Sequence, residues 1–483
     1  MKPGNLRSQS GHWRLTGKRG GAVKPKSIAI TALVLTAATA KAQDQRKVTE
    51  PVIPPSCVVL EAKLHASNNS LAESDESKSD TERIQKALDT CGPGKAVELK
   101  GGGENDAFLS GSLELREKVT LLIDQGVTLY ASRNPKDFDT VPGGCGTSGP
   151  ESRPCKPLIG VHNVSDAAVM GDGVIDGRGG AVVMGKAYTW WQQSRAAEPT
   201  NARYSAPRLI VADHADGLIL YRIHLHNSPN FHVTVSHTNG FTAWDVHLLT
   251  PTVRGTDARN TDGIDPGSSE NITVARSWID NGDDNIAIKT GTHHISVLDN
   301  HFYSGHGMSI GSETNTTDGD ILVDKLTLDH TTSGIRIKSN VQRGGPVRNV
   351  IYRNICMRNV PVPISVSPFY SGQTTDGIED LGMKGDRIPD YKDIHFENVH
   401  SLTPGIVQIA GLNAEHITQV FLDGVVVDGI KPDQARARNA DISIGRKGAN
   451  FTFHGEGVTV HTGSVGTSPD VSSCSDVFVP YRD

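Results

Sequence analysis

Three apolar triplets recur through the middle of this chain at an interval that neither a helix nor a hairpin explains. They are Ile272-Thr273-Val274, Ile295-Ser296-Val297 and Ile321-Leu322-Val323, spaced by 23 and 26 positions. Branched residues two apart bury one face of a short strand. A period in the twenties, made of short strands and lacking helical patterning, predicts a coil of parallel strands in which each turn stacks on the last. Similar segments extend the array in both directions, from Ala96-Val97-Glu98-Leu99 to Val425-Val426-Val427. The expected fold is all-β, a single-domain parallel β-helix.

Four polar clusters sit between these strands: Asn260-Thr261-Asp262-Gly263-Ile264-Asp265, Asn281-Gly282-Asp283-Asp284-Asn285, Gly305-His306-Gly307-Met308-Ser309 and Arg336-Ile337-Lys338. Asp262 to Asp283 is 21 positions, Asp283 to His306 is 23, and His306 to Arg336 is 30. Stacked turns put residues one period apart side by side, so the clusters should form one patch of carboxylates, an imidazole, a guanidinium and an ammonium. That is the composition of a site rather than of a core.

Length does not demand a second domain, because solenoids run long as one unit. Across 483 residues the net charge is −6 and no long basic run follows residue 42, which argues against nucleic acid as a partner. Lys18, Arg19, Lys24 and Lys26 precede the apolar run Ile28 to Ala40, and Ala40-Lys41-Ala42 reads as a small-x-small cleavage site. Residues 1–42 are therefore expected to be a signal peptide, 43–78 a polar segment with a first strand, and 79–483 the catalytic β-helix. The chain should be secreted, free of membrane once the signal is removed, and monomeric. Six cysteines in an exported chain are compatible with disulfides. Cys145 with Cys155 would close a Gly/Ser/Pro-rich loop and Cys57 with Cys91 would tether a strand to a helix, which leaves Cys356 and Cys474 over.

A short helix is expected after Ser79, where Ser79 and Glu82 have capping-box spacing and Ile84, Ala87 and Leu88 make an apolar stripe. It would cover the open first turn, whose strand edges would otherwise be exposed. Residues 134–158, 180–206 and 368–391 read as excursions from the coil, and the Gly/Ser/Thr-rich tail from Thr462 should wrap the last turn. Tyr188, Trp190 and Trp191 either pack locally or line a cleft where sugar faces stack.

Asp283 and Asp284 would point to opposite faces of a regular strand, so a shared site requires a bend, which Gly282 permits. Carboxylates crowded at Asp262, Asp283 and Asp284 repel one another, and at least one should stay protonated. A carboxylic acid beside an ionised carboxylate is what glycoside hydrolysis uses. Calcium would also accept oxygen ligands from such a cluster, but His306, Arg336 and Lys338 argue against a cation; no metal and no cofactor is expected. Asp265 reads as a turn residue. Arg336 and Lys338 project to one face, and two adjacent cations call for an anion. A uronic acid would supply it.

The four clusters, in this order and spacing, resemble the signature motifs of the polygalacturonases, glycoside hydrolase family 28, in particular the secreted bacterial endopolygalacturonases. The similarity covers residues 80 to 430. It implies a right-handed parallel β-helix that hydrolyses the α-1,4 bonds of pectin, or homogalacturonan, with inversion. By motif position Asp283 would be the general acid, Asp262 and Asp284 would hold and activate water, and His306 would tune the acid. Asn260, Arg336, Lys338 and Tyr370 would bind substrate. Gly282 stands where many relatives carry Gln, a variant that leaves the motif intact. Rival readings are an exo-acting or rhamnogalacturonan-cleaving relative, a calcium-dependent pectate lyase on the same coil, and a non-catalytic polysaccharide-binding solenoid.

Overall fold

In the computed structural model Ile272, Ile295 and Ile321 lie opposite one another on adjacent parallel strands, so the triplet spacing is the register of the fold. The structure describes residues 42–200, 202–251, 258–372, 377–462, 469 and 471–481. The expected signal peptide, 1–42, lies outside the described residues except for Ala42.

Among the described residues the strands form two sheets, sheet A with 20 strands and sheet B with 11, and every ladder between them is parallel. The result is a β-helix. Its core is built of columns. In sheet B, Val233, Ile264, Ile286, Met308, Ile335, Ile364 and Val407 stack in register, each at most 1% exposed. In sheet A the equivalent column runs through Phe241, Ile272, Ile295, Ile321, Val350 and Ile394. Burying each such side chain contributes about 1.5–3 kcal/mol, so identical positions on successive turns are selected for the same bulk. The turns between strands are tight, and Asn, Asp and His repeatedly occupy left-handed backbone there.

Helix α1, Thr81–Thr90, buries Ile84, Ala87 and Leu88 against the first strands, as a cap should. The capping box is not formed. The N-cap is Asp80, whose carboxylate accepts from Arg83 and from the Leu109 amide instead. The strand Ser56–Glu61 adds one turn below, pairing with Lys95–Lys100.

Two terminal segments lie against the flank of sheet A. The polar segment that begins at residue 43 is tied down at Asp44, which accepts from Thr273 Oγ1 at 2.7 Å and donates its amide to Ser296. At the other end, most of the tail between Thr462 and Val471 lies outside the described residues, and Pro469 stands beside Gly448. Residues 471–481 run back over earlier ones, from Asn398 past Cys356 to Tyr303, whose hydroxyl donates to the Val479 carbonyl. This explains the cysteine pairing: besides Cys57–Cys91 and Cys145–Cys155, Cys356 and Cys474 are also bonded, across 118 positions. Proximity created by the tail's course was invisible in local spacing.

The excursion at 180–206 contains helix α2, Trp190–Ala197, opened by a capping box of Thr189 and Gln192. Trp190 and Trp191 are buried, and the Trp191 indole donates to the Ser228 carbonyl. They pack locally rather than lining a cleft.

Candidate active site

The site lies where the turns enter sheet B. Ile264, Ile286 and Met308 are in register, and Asp262, Asp284 and His306 each stand two residues before them. The stacking partner of Asp262 is therefore Asp284, not Asp283. Asp283 occupies the turn between the strands Trp278–Asn281 and Ile286–Ile288. The two aspartates reach one site because neither is in a strand. Gly282 is needed here for space, since a Cβ would overlap the Ala258 carbonyl oxygen. A longer side chain at this position requires that neighbour to move, so the variant is not a neutral one. At Gly307, φ is +82° and a Cβ would overlap the carbonyls of Ser333 and Gly334.

Two asparagines cross-link the turns. Asn281 donates to the carbonyls of Thr261 and Asp284, both at 2.8 Å, and accepts from Asn285. Asn285 in turn accepts from the Gly307 amide. The three turns that carry Asp262, Asp283–Asp284 and His306 are thus held by side chains as well as by the ladder.

Asp284 is the centre of a buried ion cluster. It accepts from Arg336 Nη2 at 2.7 Å, Lys338 Nζ at 2.7 Å and Ser309 Oγ at 2.9 Å. Arg336 and Lys338 were expected to face a ligand's carboxylate. In the protein alone their anion is Asp284, three positions before Ala287, which pairs through Ser309 with Arg336. Burial opposes ionisation of Asp284, but Lys338 and then Arg336 outweigh it, and its pKa falls to about 2. Burial also lowers the Lys338 pKa, with Asp284 opposing. Lys338 lies 5.1 Å from the centre of the Tyr370 ring, which places Tyr370 beside the ion cluster.

Asp283 accepts from the Asn260 amide through Oδ2 at 3.1 Å and meets His306 Nδ1 through Oδ1, also at 3.1 Å. Burial pushes its carboxyl up, yet the imidazole beside it, by charge and by hydrogen bond, carries it below the ordinary carboxylate range. The raised carboxyl is Asp262 instead: burial is the main cause, and the charges of Asp283 and Asp265 add to it. Of the two carboxyls it is therefore Asp262, not Asp283, whose neutral form the surroundings favour, because Asp283 has the imidazole as neighbour.

Other residues around the site were given no catalytic or binding role by the motifs. Asp265 is not a simple turn residue; it is 4% exposed, sits 3.7 Å from Lys289 Nζ, and burial lifts its pKa to about 7. Lys289 follows the strand Ile286–Ile288 and donates to the Gly311 carbonyl at 3.2 Å. Tyr204 had no signal: it comes from the 180–206 excursion and donates to Asn260 Oδ1 while meeting Ser194 and Asn230. Glu313, Arg343, Arg195 and Arg259 complete the cleft walls. The acids therefore share a groove with Lys289, Arg336, Lys338, Arg343, Arg195 and Arg259.

The family model "Glycosyl hydrolases family 28" matches residues 106–447. An endo-polygalacturonase of Pectobacterium carotovorum subsp. carotovorum is 41% identical over 404 residues, covering 83% of this chain and 93% of that one. A polygalacturonase of Ralstonia nicotianae is 37% identical, covering 90% and 92%. The solved polygalacturonase from Erwinia carotovora ssp. carotovora superposes with a TM-score of 0.72 at 38% identity, covering 86% of this chain and all of that one. By family model, by relatives and by fold, this chain belongs to glycosyl hydrolases family 28 and is a glycoside hydrolase.

Proposed function

We propose that the protein is a secreted endo-polygalacturonase that cleaves the α-1,4 bonds of pectin, or homogalacturonan, by hydrolysis with inversion. The observation that carries this reading is the meeting of Asp262, Asp283, Asp284 and His306 with Arg336 and Lys338 in one groove. The relatives that span most of the chain are named for the same activity.

In this reading Asp283 is the general acid and gives its proton to the glycosidic oxygen as the bond from that oxygen to the anomeric carbon breaks. Water attacks the carbon from the opposite face and passes its proton to Asp262. Asp284, kept ionised by two cations, orients that water. Burial and neighbouring charge favour the neutral form of Asp262, whereas the imidazole beside Asp283 favours its ionised form. Catalysis requires the reverse arrangement, Asp283 protonated and Asp262 ionised, within one coupled cluster. Lys338 has three N–H donors and gives one to Asp284, so it can also meet a galacturonate carboxylate, with Arg336 beside it. Tyr370 and Asn260 position the sugar.

Export is supported by the pattern at residues 1–42 and by the three disulfides, which persist in oxidising compartments. No helix among the described residues is long and apolar enough to cross a membrane. The chain is read as one catalytic unit acting as a monomer.

The test follows viscosity and reducing-end release together on polygalacturonate, with chelator present and ultraviolet absorbance monitored. A steep viscosity fall at few cleavages, with no new absorbance, is expected. Slow viscosity loss at steady release would replace the endo mode with an exo one. Absorbance rising only without chelator would mean elimination, and would overturn the reading.

A further inference from the structure

Away from the groove, two turns of the coil bring a carboxylate and two imidazoles together. Asp213 ends the strand Ile210–Asp213 of sheet B, and His214 follows it; His237 follows the next strand, Val233–Ser236. The two histidines occupy the same place on successive turns, both in left-handed backbone, with φ of 54° and 49°. Their rings stack with centroids 4.8 Å apart. Both Nδ1 atoms converge on a single oxygen: Asp213 Oδ1 is 2.8 Å from His237 Nδ1 and 3.2 Å from His214 Nδ1. Catalytic acids enter sheet B from the opposite end of its strands.

We propose that Asp213, His214 and His237 form a binding site for a borderline transition-metal ion such as zinc, distinct from the catalytic groove. Four ligands at about 2.0–2.1 Å around such an ion stand about 3.3 Å apart. The two nitrogen–oxygen separations, 2.8 and 3.2 Å, lie near this spacing, and all three ligand atoms are within 4.8 Å of one another. Two imidazoles and one carboxylate, without thiolate, suit zinc, copper, nickel or cobalt rather than calcium or magnesium. On ligation each Nδ1 that faces Asp213 becomes a lone-pair donor: a neutral ring keeps its one proton, carried on Nε2, and a charged ring releases its Nδ1 proton to solvent. Both side chains are more than half exposed, at 57% and 55%, so water solvates the relocated N–H and also fills the remaining metal position. An ion held this way joins two turns of the coil by their side chains.

Among the described residues only one other group, Asp283, Asp284 and His306, places three potential ligands this close. Arg336 and Lys338 are bonded to Asp284 there and repel a cation.

The test is calorimetric titration of Zn²⁺ into the full, chelator-stripped protein near pH 7.5, without substrate, repeated with Co²⁺ while following visible absorption. Expected are one ion per chain, a Co²⁺ band of a four-coordinate nitrogen–oxygen site, and a metal-dependent rise in melting temperature. His214→Ala and His237→Ala should each weaken binding by at least about tenfold. His162→Ala, which removes a nearby imidazole paired with Glu114, should not. Metal-free melting temperatures equal to wild type show that the variants fold. No binding, or binding that survives in both variants or is lost only in Asp283→Asn, overturns the proposal.

Discussion

Asp265→Asn separates a buried carboxyl's contribution from that of its neighbours. In the native protein burial lifts this group to about 7, against 3.8 for the free side chain, with Lys289 opposing and Asp284 assisting. Between those two values the native state holds a proton that the unfolded chain has released. Stability from this group is therefore fully present below the unfolded value and is lost as pH rises toward 7. A shift of about three units amounts to on the order of 4 kcal/mol across that window. Asparagine keeps the shape and cannot titrate. Urea unfolding should be measured at several values between about pH 4 and pH 7.5, extracting the unfolding free energy at each. Wild type should lose on the order of 4 kcal/mol more than Asp265→Asn over this range. The comparison is of slopes, so a constant offset from leaving Lys289 with fewer carboxylates does not confuse it. Parallel curves would show that Asp265 is ionised in the native protein, and the argument from burial would fail.

Other outcomes follow from single contacts. Cys474→Ser opens a loop of 118 positions and should cost about 5 kcal/mol by loop entropy; thiol titration of unfolded wild type should find no reactive thiol, and two would refute the pairing. Gly282→Ala forces a Cβ against the Ala258 carbonyl and should displace Asp283 enough to cut kcat by about 100-fold, so near-normal turnover would show that the turn is not confined. Asp283→Asn should lower kcat by about 10²–10⁴ with little change in KM, whereas Lys338→Ala should mainly raise KM; equal effects on both parameters in both variants would contradict the roles. The rate should fall as pH rises through the pKa of the acid Asp283; because the imidazole lowers that pKa, His306→Ala should carry the limb to higher pH. An unmoved limb would mean that the imidazole does not set the ionisation of Asp283.

The architecture was legible because a β-helix repeats its demands: every turn needs a branched or aliphatic residue at the same inward position. Ile272, Ile295 and Ile321 therefore announced both the fold and its register. The catalytic candidates were legible for a related reason, since Asp262, Asp284 and His306 each stand two residues before a column residue and so must stack. What the amino-acid order could not supply was anything made by contact between distant turns. Only the folded chain shows that Asp284 is the anion of Arg336 and Lys338, or that His306 lowers Asp283 while burial raises Asp262. Ionisation depends on which neighbours exclude water and which supply charge, and those neighbours are 20 to 50 residues away. The same holds for Cys356 and Cys474, which meet because the tail crosses the flank of sheet A. Local pattern determined the coil and the column on which each group stands; packing across turns decided charge, partner and proton.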